Sequence, residues 1–245
     1  MKIKNIFLGK TVIAFLFVLS LTSCNYSVDF SGEDGNGNVI TQNRVITEKF
    51  EKIEVNTGLE VIVEQKETTS VTVKIDENIQ SLITTEVING VLIIRSNGQF
   101  DTKSTPLIRV SLPIISGLKS TSGSTLSSGT VLKSTSLSVD SSSGSEVNIE
   151  VEADYISMES SSGSEMKVQG KALKAETSSS SGSAIDAENL MANEVYAQVS
   201  SGSSTTVYPI LLLKGKASSG GDITYTNVPK RIEKEESSGG SVGPE

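Results

Sequence analysis

The sequence predicts an all-β chain wound as a right-handed parallel β-helix, a β-solenoid. Three observations carry this expectation: a Ser-Ser-Gly-Ser unit returning about every 19–20 residues, strands that alternate in phase with it, and abundant Ser, Thr and Gly with no Trp. Such a composition suits thin stacked layers better than a thick core.

The repeat occurs at 121–124, 142–145, 161–164, 180–183 and 200–203, then with a second glycine at 218–221 and 237–240. Successive glycines Gly123, Gly144, Gly163, Gly182, Gly202, Gly220 and Gly239 are 21, 19, 19, 20, 18 and 19 residues apart, the period of a stacked coil. Three and five residues after each glycine stand mostly apolar or small side chains, among them Leu126, Val147/Ile149, Met166/Val168, Ile185/Ala187 and Ile223/Tyr225. Seven and five residues before it stand Leu137/Val139, Ile156/Met158, Ala175/Thr177 and Val195/Ala197. The positions between are largely polar, so two strands per coil are expected, each with one face inward. The glycines Gly123, Gly144, Gly163, Gly182, Gly202 and Gly220 are read as structural corners, with neighbouring serine hydroxyls satisfying the corner amides.

The segment 45–118 is β-rich without the repeat, and Asn89-Gly90 between apolar runs predicts a type I′ hairpin. It is expected to begin or cap the solenoid, which otherwise exposes a sheet edge, and a helical turn is expected around Asn78 to Ile83. The regular coils take up 119–240 of a single 45–240 domain. The return of the motif at Ser237-Ser238-Gly239-Gly240 favours a last coil there, followed by a tail at 241–245.

Ahead of the domain, Lys2, Lys4 and the apolar run Thr11 to Leu19 read as a signal peptide over 1–23, the run being short for a spanning helix. Leu21-Thr22-Ser23-Cys24 resembles the lipobox of bacterial lipoproteins, which implies acylation of Cys24 and a membrane-tethered chain. Asn25 stands where an aspartate would resemble an inner-membrane retention signal, so the expected location is the outer membrane or cell surface. Residues 24–44 are expected to be a flexible tether. Within it, Ser31 to Asn38 has the look of a calcium loop, but it lacks the closing glutamate of an EF-hand.

Removing the leader leaves 29 acidic against 18 basic residues, which argues against a nucleic-acid partner. Histidine is absent and Cys24 is the sole cysteine, so Ser-His-Asp, Cys-His and His-based zinc chemistry are excluded, as is an intrachain disulfide. One coil apart, Glu146 and Glu165 share a position, as do Asp140 and Glu159, and either pair could imitate the two carboxylates of a glycosidase. Aromatic platforms are scarce, however, with only dispersed tyrosines such as Tyr155, Tyr196 and Tyr208 nearby. A solvated ladder is the expectation, with Lys167 relieving the repulsion or a cation doing so. No catalytic, cofactor-binding or metal site is expected.

Phe50-Glu51-Lys52-Ile53-Glu54-Val55, Gly58-Leu59-Glu60-Val61, Asn89-Gly90-Val91-Leu92-Ile93-Ile94 and the later Ser-Gly-Ser coils together resemble a bacterial domain family of unknown function. That family is described as putative auto-transporter adhesin, head GIN domain. The resemblance covers about Val45 to Val228, with Glu60 standing where the signature has asparagine. It implies an exported β-helical domain that adheres to, or binds, a glycan or protein ligand without catalysis, and no transmembrane barrel is expected to follow. The alternatives are a periplasm-facing structural protein of the envelope and, third, a carbohydrate-active enzyme.

Overall fold

The computed structural model describes residues 32–245. The expected signal peptide and Cys24 lie outside the described residues.

The first coil is the strand β1 (Lys52–Val55), a corner at Thr57-Gly58, and β2 (Glu60–Gln65). The chain does not continue into a second coil from there. It leaves to build a cap from β3 (Ser70–Asp76), a 3-10 turn (Glu77–Ile79), β4 (Ile83–Ile88), β5 (Val91–Ser96), β6 (Phe100–Asp101) and β7 (Leu107–Leu112). β5 lies parallel on β1 and β7 parallel on β2, while β3 and β4 pair antiparallel with β7 and β5. Asn89 and Gly90, both with positive φ, turn β4 into β5.

The chain then returns to the other side of the first coil. β8 (Gly117–Ser120) stacks on β1 and β9 (Thr125–Ser128) on β2, both in parallel. The following coils are β10 (Leu132–Ser141), β11 (Glu146–Ser160), β12 (Glu165–Ser179), β13 (Ala184–Val199) and β14 (Ser204–Ala217). The last comprises β15 (Asp222–Tyr225), β16 (Arg231–Glu236) and β17 (Ser241–Pro244). All these pairings are parallel.

Each Ser-Gly corner is a type I′ turn. Both central residues have positive φ, for example 55° at Ser162 and 69° at Gly163, and the Ser164 amide donates to the Ser161 carbonyl at 3.3 Å. The serine in the left-handed region was not foreseen. At the second bend of the middle coils there is no turn, so the two strands expected per coil merge into single strands of 14–16 residues. Two successive residues face outward at that bend, as at Asp154-Tyr155 and Leu173-Lys174, and this slip of phase redirects the chain.

Inward side chains stack in columns such as Leu126, Val147, Met166, Ile185, Thr205, Ile223 and Val242. A polar column runs beside them under the corners. Buried Ser145 donates to the Ser120 carbonyl at 2.7 Å, Ser164 to Ser141 at 2.9 Å and Ser183 to Ser160 at 2.7 Å, each one coil back, while Ser124 and Ser203 donate within their own corners to the Thr121 and Ser200 carbonyls.

Two segments differ from expectation. Part of the supposed tether is folded: Glu33–Asp34 forms a strand, βN, parallel to β6, and Val39–Arg44 forms another, βM, antiparallel to β3. Arg44 holds it there through the Gln80 and Ile83 carbonyls, and Gln80 donates to the carbonyls of Ile40 and Val73. The supposed tail likewise enters the sheet as β17, since Val242 continues an inward apolar column. The helical turn is a single 3-10 turn at Glu77–Ile79, slightly earlier than expected.

Candidate functional site

Parallel register turns each outward position into a row, so the surface chemistry is set by what successive coils place in one row. The carboxylate pairs picked out from the sequence are register neighbours, Glu146 beside Glu165 and Asp140 beside Glu159. Lys167 does not relieve the first pair. Its ammonium is bound to Asp186 at 3.0 Å, which raises its affinity for the proton.

The second pair lines a shallow hollow of about 390 Å³ with Lys119 and the corner serines Ser142 and Ser161. Burial pushes the Asp140 carboxyl above the usual range, partly offset by Lys119 and a hydrogen bond from Ser138. A raised carboxyl beside a second carboxylate is the arrangement that acid catalysis exploits. The walls here are serine hydroxyls, with no aromatic ring to seat a sugar.

Tyr155 and Tyr196 lie one row pair away and are joined, while Tyr208, a register neighbour of Met191, stands apart from them. Tyr155, Lys174 and Glu194 are register neighbours, as are Glu176, Tyr196 and Lys214. Lys174 reaches Glu176 at 2.6 Å and lies 4.5 Å from the Tyr196 ring centre and 5.5 Å from that of Tyr155. Tyr155 donates its hydroxyl to Glu176 at 2.8 Å. That hydrogen bond raises the Tyr155 phenol, and the Lys174 ammonium, followed by Tyr155, holds Glu176 below the usual carboxylate range. The tyrosine faces are thus taken by cations of the same chain.

A groove of about 830 Å³ follows the second bend. One row along it runs Lys133, Glu152, Lys171 and Met191, changing from alternating charge to apolar. Behind that row the small buried side chains Ala153, Ala172 and Ala192 keep the floor low. At the bend Leu173 is 55% exposed and Met191 41%, with Ile210 next to them and Asp154 and Asn193 at the rim. Sequence reasoning missed this groove, because the apolar residues at the bend fall outside the inward phase of the repeat and carry no periodic signal. Among the described residues no three His, Cys, Asp or Glu side chains gather to form a metal cage by themselves.

Comparison with known proteins agrees with this architecture. Residues 49–229 match the family described as "Putative auto-transporter adhesin, head GIN domain". A crystal structure of a putative adhesin from Bacteroides fragilis superposes with a TM-score of 0.79 at 19% identity, over 87% of this chain and 100% of that one. A putative adhesin from Parabacteroides merdae gives 0.70 at 18% identity, covering 86% and 98%. A structure from Parabacteroides distasonis named a putative lipid binding protein gives 0.70 at 21% identity, also over 86% and 98%. At these identities the likeness shows the shared fold. No curated protein matches the chain.

Proposed function

Because the chain belongs to the family described as "Putative auto-transporter adhesin, head GIN domain", we propose that it is an exported lipoprotein, anchored through acylated Cys24, whose solenoid binds a glycan or protein ligand at the cell surface without catalysing a reaction. The observation that carries this reading is the bend groove. It has an exposed apolar centre at Leu173, Met191 and Ile210 and a rim of opposite charges at Lys133, Glu152, Asp154 and Lys171. An apolar centre with a few placed polar groups is the usual make-up of a ligand site. Its walls are strands of a continuous parallel ladder, which lowers the ordering cost of binding.

Protease shaving of intact cells expressing an epitope-tagged chain tests the location. Loss of the tag supports surface display, and protection until lysis supports an envelope role facing the periplasm. Binding is tested by screening the chain against glycan and host-matrix arrays beside Leu173→Glu and Met191→Glu. A hit lost in both variants supports the groove, while a hit untouched by them assigns binding to another face. The exposed apolar centre also favours a second ligand class, one with an acyl chain. Fatty-acid displacement of a groove-bound fluorophore separates it from the first.

A further inference from the structure

We propose that the partner of the bend groove is a second copy of this chain, packed face to face and antiparallel about a two-fold axis at β13. This deepens, and rests on, the reading of the groove as a binding surface. The starting point is the order of side chains along the bend. The flanking register pairs put Asp154 of β11 beside Leu173 of β12, and Leu173 beside Asn193 of β13. Asn193 stands beside both Ile210 and Leu211 of β14, where the register shifts, and Leu211 beside Lys230, just before β16. Over five successive coils the row therefore reads acid, apolar, amide, apolar, base. Asp154, Leu173, Ile210, Leu211 and Lys230 are all exposed, and Asn193 is partly so.

That order is self-complementary. A two-fold axis lying in the contact plane across the coils lays each row on its own copy in reverse, so that residue i meets j and j meets i. Asn193 then lies at the axis, Leu173 packs on Ile210 and Leu211, and Asp154 meets Lys230, each contact occurring twice. The neighbouring row Glu152, Lys171, Met191 and Tyr208 obeys the same axis. Met191 meets its copy, and Lys171 faces Tyr208, whose ring has no cation of its own chain over it. Among the described residues neither Asp154, Lys171 nor Lys230 takes part in an ion pair within the chain, so all three are free for a partner. An axis along the coils would instead set Asp154 against Asp154 and Lys230 against Lys230, and charge therefore selects the antiparallel arrangement.

Five coils span roughly 24 Å and three rows roughly 14 Å, so the pair buries less than about 1,200 Å², the range of weak and transient contacts. Glu194, in the third row, meets its own copy at the axis and lowers the affinity further. Dilute chains are therefore monomeric, and the pair forms at high local concentration. A closed two-fold contact does not propagate into a fibre.

The full chain with Cys24→Ser, which removes its sole thiol, carries Asn193→Cys, Asp154→Cys or Lys230→Cys. It is treated with a short bismaleimide, because opposed sheets about 10 Å apart lie beyond disulfide reach. Asn193→Cys should crosslink to a dimer. Asp154→Cys alone should not, its copy lying four coils or roughly 19 Å further along, whereas a mixture of Asp154→Cys and Lys230→Cys should. Within the Asn193→Cys chain, Asp154→Lys should slow crosslinking at least about tenfold, and adding Lys230→Asp should restore it by rebuilding the contact with opposite signs. Restoration also shows that the loss is not misfolding. Crosslinking of Asp154→Cys alone as fast as Asn193→Cys overturns the proposal. So does the absence of any Asn193→Cys dimer at about 1 mM chain, the weak end of specific association. If a glycan hit is nonetheless lost in Leu173→Glu, the groove remains a ligand site without a second copy.

Discussion

Gly163 donates its amide hydrogen to the carbonyl of Ser181, one coil further on, at 3.1 Å. The same bond joins Gly58 to Ser122, Gly123 to Ser143, Gly144 to Ser162, Gly182 to Ser201, Gly202 to Ser219 and Gly220 to Ser238. Both left-handed residues of each corner are needed to aim these groups along the solenoid axis. Serine is a costly occupant of its place, since an L side chain in that region loses about 1–2 kcal/mol unless it is asparagine, aspartate or glycine. Ser162→Asn and Ser162→Gly should each stabilise the fold, by up to about 1 kcal/mol, and Ser162→Val should destabilise it by a similar amount. Urea unfolding of the three variants checks the order.

Two glycines separate strain from collision. At Gly163 a Cβ would meet nothing within 4 Å, so Gly163→Ala should cost only the left-handed strain, about 1 kcal/mol. At Gly170, where φ is 118°, a Cβ would overlap the Val151 carbonyl oxygen of the preceding coil. Gly170→Ala should therefore cost upwards of about 3 kcal/mol or prevent folding, as backbone cannot give way like a side chain. Equal losses in the two variants, measured by thermal unfolding, would contradict this account.

These corners also show what could be read from the residues alone. The inward phase is legible because seven Ser-Gly units and their flanking apolar positions recur together. The corner at Thr57-Gly58 is of the same kind, yet it stands outside the period because the whole cap is inserted between the first coil and the second. Folding of Val39–Arg44 is likewise hidden, since only Val39 and Ile40 in that polar strand signal burial and Arg44 is fixed by distant carbonyls. The groove escapes for a related reason: it arises where the strand phase slips, and a phase slip leaves no repeat of its own.

Asp140 is held above the usual carboxylate range by burial, against the pull of Lys119. A carboxyl whose affinity for the proton rises on folding favours the folded state below its unfolded value, and that advantage is lost as pH rises through the raised one. At neutral pH its charge therefore counts against the fold. Asp140→Asn should raise the melting midpoint slightly at pH 7, and the gain should vanish on acidification into the ordinary carboxylate range. Glycosidase-like use of the Asp140 and Glu159 pair would show instead as turnover of acidic polysaccharide lost in Asp140→Asn and Glu159→Gln.

Glu176 titrates with the opposite sign. Lys174 and Tyr155 hold it below the usual range, so its ionised form favours the fold above the unfolded value, and this is lost as pH falls through the lowered one. Lys174 is raised by the same partner, so its share is present below the ordinary lysine range and disappears at high pH. Melting midpoints of the parent and Glu176→Gln should differ most between those limits and converge at both extremes. The pair is largely solvated, so the difference at pH 7 should be small and should shrink further in high salt.

The last coil tests how the solenoid avoids growing by self-association. Among the described residues β16 pairs only with β14 and β17 only with β15, leaving one edge of each strand without a partner. Lys234 stands in the inward column formed by Leu118, Val139, Met158, Thr177, Ala197 and Gly215. Its ammonium donates to the Val242 carbonyl at 2.6 Å and lies 5.4 Å from the Tyr225 ring centre, which places a charge over the end of the apolar column. A second chain stacking there would have to strip water from that charge, and inward-pointing charges are a known protection of sheet edges. Lys234→Leu should leave the coil folded, since its backbone pairing is unchanged, and should convert its end into an apolar surface. Light scattering coupled to size exclusion should then show concentration-dependent association absent from the parent. Association unchanged in the variant would assign the protection to the outward charges Glu233 and Glu235 of the same strand.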